Sequence, residues 1–131
     1  MTNMCDPLIQ LIVPADQSMM LVIRLATAGA LARAQLTVDA IDDLKMAVEE
    51  ACTLMISQEC PPTKLYLEFF RRESAMDIHV HGEPGAVCVC GMDEGELDVV
   101  CAILNALSDA AEIDFADGRI RNILLTKDLS R

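Results

Sequence analysis

Three sets of residues in this sequence have types and spacings that could do chemistry. Glu50 and Leu54 stand one helical turn apart, i and i+4, on a line well away from the apolar stripe of their own segment. That line either meets a second apolar surface or floors a pocket. His79-Val80-His81 places two imidazoles on one face of an extended segment, where they can chelate a metal. Cys88-Val89-Cys90 does the same with two sulfurs, and with Cys60 or Cys5 they could make a thiolate site of the zinc kind. The cysteine spacing is not C-x-x-C and no partner pair is evident. Buried reduced cysteines acting as small hydrophobes are the commoner outcome, as are paired surface histidines. No Ser-His-Asp or Cys-His signature stands out.

The elements that must hold these groups follow from periodicity. Leu36 to Ser57, LTVDAIDDLKMAVEEACTLMIS, carries Ile41, Leu44, Val48, Ala51, Cys52 and Met55 along one helical face. Thr37 is placed to cap it, and Asp39, Asp42 and Asp43 suit the positive end of the helix dipole. Cys60-Pro61-Pro62 cannot continue it. Before it, Leu8 to Pro14 is a strand, Asp16 or Ser18 can cap a helix, and Met19 to Ala34 is a helix apolar almost all round. Arg24 interrupts that helix. Its stem can pack while its head reaches water, or it can contact a partner.

After the central helix, Lys64 to Arg71 and Ala75 to His81 read as a hairpin turning at Glu73-Ser74. Gly82 to Gly91 is a loop with an apolar middle. Asp93 to Asp109 is a third helix, with Val99, Val100, Ile103, Leu104 and Leu107 on its apolar face. Ala111 to Ala116 and Ile120 to Lys127 flank Asp117-Gly118, a strong hairpin signal. The order β-α-α-β-β-α-β-β implies an α+β chain: a mixed, mostly antiparallel sheet with three helices on one face.

A length of 131 residues fits one domain, 1–131, and 53% hydrophobic residues supply a core. With one Tyr, three Phe and no Trp, that core must be aliphatic, with Met as filler. The net charge of −11 argues against nucleic acid and disfavours anionic membrane. An acidic surface allows a basic protein partner. Met1 to Pro7 lacks a secretory signal, and no apolar run reaches the roughly 18 residues of a membrane span. The expected location is the cytoplasm, with the six Cys reduced.

Asp42-Asp43-Leu44-Lys45-Met46-Ala47-Val48-Glu49-Glu50-Ala51-Cys52-Thr53 resembles the N-box helix of GHKL (Bergerat) ATP-binding domains. Within that superfamily it is most similar to the bacterial anti-sigma factor serine kinases. The resemblance implies a two-layer α/β sandwich, ATP and magnesium as cofactors, and Glu50 as general base. It also implies a protein partner, either a sigma factor or an anti-anti-sigma protein, and a possible homodimer. Ile23-Arg24-Leu25 matches a first-helix pattern that contributes to the family's partner-binding surface, which makes Arg24 the partner-binding candidate.

The nucleotide motifs depart from the family. Leu54 stands where a magnesium-binding Asn belongs, and Leu offers no oxygen to a hard cation. In His81-Gly82-Glu83-Pro84-Gly85, Gly82 stands at the place of the adenine-binding Asp and Pro84 at that of the first glycine, with Gly85 left of the box. Glu94-Gly95-Glu96-Leu97-Asp98-Val99 keeps Gly95 of the second glycine box but puts acids where glycines approach phosphates. The stretch Ala86 to Asp93 is shorter than the family's lid. The expectation is therefore a regulator that works by protein binding with its nucleotide site lost and Glu50 vestigial. The alternatives are a divergent ATP-dependent serine kinase, and a small-ligand or metal-binding domain using His79, His81, Cys88 and Cys90.

Overall fold

Thr37 caps the helix around which the chain is arranged. Its backbone is extended and its hydroxyl accepts from the Ala40 amide at 3.1 Å. A computed structural model describes residues 6–58, 61–83, 94–116 and 119–128. Along the chain run β1 (Ile9–Pro14), a 3-10 turn (Gln17–Met19), α1 (Met20–Arg33) and α2 (Val38–Ile56). There follow β2 (Lys64–Arg71), β3 (Ala75–Gly82), α3 (Glu94–Leu107), β4 (Ala110–Ala116) and β5 (Arg119–Asp128). The structure is thus α+β, with three helices and a five-stranded sheet ordered β1-β2-β3-β5-β4. Every described pairing is antiparallel, so the sheet is not mixed as the sequence suggests.

One core joins the helices to one face of the sheet. Leu65, Leu67 and Phe69 of β2, Met76, Ile78 and Val80 of β3, and Ile123 and Leu125 of β5 are fully buried. They share a cluster with Ile23 and Leu31 of α1, Leu44, Ala51 and Met55 of α2, and Leu104 of α3. The alternation of burial along β2, and along β3 from Met76 to His81, is what a sheet covered on one face requires. Thr27 is buried, and its hydroxyl donates to the Ile23 carbonyl at 2.7 Å within α1.

Two local features have no glycine or proline to announce them. Gln35 ends α1 with φ of 59°, a left-handed position usually given to glycine. In the β4–β5 pair, Phe115 faces Ile120 while Asp114 faces Asn122, so Arg121 is the extra residue of a bulge. No helix among the described residues is long and apolar enough to cross a membrane.

Candidate functional site

Glu50 and Leu54 occupy α2 as expected. Both are half-buried, and Leu54 packs against the hydrophobic core. Gly82 ends β3, and a side chain there has no room. A Cβ on Gly82 would stand 2.6 Å from Pro62 Cβ, 2.7 Å from Pro62 Cγ and 3.2 Å from Met55 Cε. Gly95 is exposed in the first turn of α3. Gly85, the stretch 86–93, and Cys5, Cys60, Cys88 and Cys90 lie outside the described residues. Of the cysteines inside them, Cys52 and Cys101 are both free thiols, Cys52 fully buried.

Arg24 projects from α1 and its Nε pairs with Glu49 of α2. The neighbouring Leu21, Val22 and Leu25 are 59%, 43% and 63% exposed. At about 100° per residue these three fall with Gly29 and Ala32 on one outward stripe. The outward face of α2 carries Asp39, Asp42, Asp43 and Met46, all exposed. The Arg24–Glu49 pair ties the two helices together.

His79 and His81 do share a face, the face of β3 turned away from the core. The register of the β2–β3 hairpin sets Glu68 directly opposite His79 and Tyr66 opposite His81. Glu68 Oε1 lies 3.4 Å from His79 Nδ1 and 3.4 Å from His81 Nε2. The two imidazole rings stack with centroids 4.4 Å apart, and Tyr66 stacks on His81 at 5.1 Å. Partial burial, with the nearby His79, holds the His81 imidazolium below the usual histidine range, against the opposing pull of Glu68.

A polar row extends from this centre to both edges of the sheet. Gln10 Nε2 of β1 donates to Glu68 Oε2 at 2.8 Å. His79 Nε2 lies 3.1 Å from Asn122 Oδ1 of β5, its diagonal neighbour. Asn122 Nδ2 donates to Asp114 Oδ2 of β4 at 2.9 Å. His81, Gly82, Asp114, Arg121 and Asn122 line a cavity of about 280 Å³ next to the row.

The sequence shows the two histidines but not the third member. Glu68 is identifiable only through register. A two-residue turn at Glu73-Ser74, closed by the Arg72 amide donating to the Ala75 carbonyl at 2.7 Å, counts back to the Glu68–His79 pair. Asn122 could not be found this way, because α3 and β4 lie between β3 and β5 in the chain and no turn sets the register of that pair. No protein-family model matches this chain, and no curated protein matches it either.

Proposed function

We propose that this chain is a regulatory protein that acts by binding another protein through the outward faces of α1 and α2. The observation that carries this reading is the exposed strip of Leu21, Val22 and Leu25 on α1, together with the exposed Asp39, Asp42 and Asp43 on the neighbouring helix α2. A contiguous exposed apolar strip on a soluble surface marks an interaction site. Its chemistry specifies the occupant: a basic amphipathic protein segment, apolar side chains on α1 and cations over Asp39, Asp42 and Asp43. The chain's net charge of −11 favours the same sign of partner.

The resemblance of the α2 motif to anti-sigma factor kinases makes a sigma factor or an anti-anti-sigma-like protein the partner class, in the cytoplasm. The α+β order and the core shared by helices and one sheet face are compatible with a two-layer GHKL-type sandwich. In this reading the nucleotide site is lost. Leu54 gives magnesium no oxygen, and Pro62 takes the room that an aspartate at Gly82 would need.

The test titrates purified sigma factors and anti-anti-sigma-like proteins of the source genome against the full chain and against Leu25→Glu. One of them binds the native chain, and Leu25→Glu weakens it at least ~10-fold while circular dichroism stays unchanged, as expected for an exposed position. Calorimetry against Mg-ATP gives no heat at millimolar nucleotide. Failure of every candidate to bind, indifference to Leu25→Glu, or clear magnesium-dependent nucleotide binding would each overturn the reading.

A further inference from the structure

We propose that Glu68, His79 and His81 form an open three-donor site for a divalent transition-metal ion of the zinc class, on the sheet face opposite the helical core. The site is independent of the α1–α2 surface and shares no residue with it.

The first argument is distance. Both Glu68–histidine separations, 3.4 Å, exceed a normal N–H···O hydrogen bond of about 2.7–3.2 Å. They match the edge of a tetrahedron of ligands held about 2.05 Å from zinc, which is about 3.3 Å. The three donor atoms lie within 4.8 Å of one another. Binding requires the stacked rings to tilt toward each other, so that their in-plane lone pairs converge on one ion beside Glu68 Oε1.

The second argument is the proton inventory. Asp114 as a carboxylate can only accept, so Asn122 presents its amide nitrogen to Asp114 and its oxygen to His79. His79 Nε2 then donates to Asn122, which turns Nδ1 toward Glu68 Oε1. His81 Nε2 reaches the same carboxylate oxygen.

The third argument is the support around the donors. The nitrogen of His79 that would not bind metal is held by Asn122, and the Glu68 oxygen that would not bind is held by Gln10. This is the outer hydrogen bonding that fixes tautomer and ring orientation in metal sites. Three protein donors leave a fourth tetrahedral position for water or a ligand atom. His81 and Asn122 also line the cavity of about 280 Å³, which gives such a ligand a route to the ion. Imidazole and carboxylate donors suit Zn²⁺ and Co²⁺ and do not select the oxygen-seeking Mg²⁺ or Ca²⁺.

The test is calorimetry of Zn²⁺ alone into the chelator-treated full chain, under a non-chelating reductant. His79→Gln, His81→Gln and Asn122→Ala variants are run in parallel, each checked for fold by circular dichroism. A Co²⁺ titration followed by visible absorption distinguishes imidazole and carboxylate ligation from thiolate ligation. The expected result is one equivalent of zinc, lost in either histidine variant and weakened ~10–100-fold in Asn122→Ala. The cobalt spectrum shows no thiolate charge-transfer band. Zinc binding that survives loss of both histidines, a thiolate band, or no binding at millimolar metal would overturn the proposal.

Discussion

Pro62 Cβ sits 2.6 Å from the point where a Cβ on Gly82 would stand. The chain leaving α2 therefore presses a buried proline ring against the end of β3. This contact decides what can be rebuilt at the place where the GHKL resemblance puts its adenine-binding aspartate. Gly82→Asp is expected to destabilise the protein by about 1–3 kcal/mol through overpacking, as urea unfolding will show. Even the double variant Leu54→Asn/Gly82→Asp should bind no Mg-ATP. A stable Gly82→Asp protein would mean that Pro62 gives way.

The side chain of Gln58 acts as a short length of backbone. Its Oε1 accepts from the Ile120 amide at 2.6 Å and its Nε2 donates to the Ile120 carbonyl at 3.2 Å. The same nitrogen donates to the Met55 carbonyl at 3.2 Å, so the end of α2 is fastened to the start of β5. Gln58→Leu strands both polar groups of Ile120. The expected loss is about 1–3 kcal/mol, read from the urea midpoint at unchanged slope. Gln58→Leu at native stability would mean that water replaces the amide.

Cys52 should be inert in the folded protein. Burial, helped by the charge of Glu49, pushes its thiol up to about 12. At pH 8 almost no thiolate exists there, and only the thiolate reacts. Iodoacetamide followed by mass spectrometry should leave Cys52 unlabelled in buffer and label it fully in denaturant. Labelling in buffer within minutes would show that α2 opens locally at low cost.

Much of the fold could be read from the residues, because each element carries its own period. Ile41, Leu44, Val48 and Met55 mark α2, with its ends misplaced by a residue or two, and the alternation in Lys64 to Arg71 marks β2 at its observed bounds. Thr37 declared its cap because its hydroxyl works on its own helix. What escaped depends on separate segments meeting. Arg24 finds Glu49 from another helix, and Gln58 finds Ile120 across 62 positions. Gln35 takes a left-handed conformation with no composition signal at all. At the candidate metal site, His79 and His81 were visible as a pair, while Glu68 needed the hairpin register and Asn122 needed the pairing of β3 with β5.

The polar row across the sheet has a consequence for how the strands find their partners. Sliding β3 along β2 by one residue would turn Ile78 and Val80 outward, and the core forbids it. A slide by two residues keeps every apolar side chain inward, so the core alone is indifferent to it. The outer face is not. One direction of slide sets Glu68 against Asp77, two like charges across a strand pair. The other carries His79 away from Glu68 and shears it from Asn122. Gln10, Glu68, His79, Asn122 and Asp114 thus work as a vernier, reinforcing on the outer face the alignment that the Glu73-Ser74 turn sets.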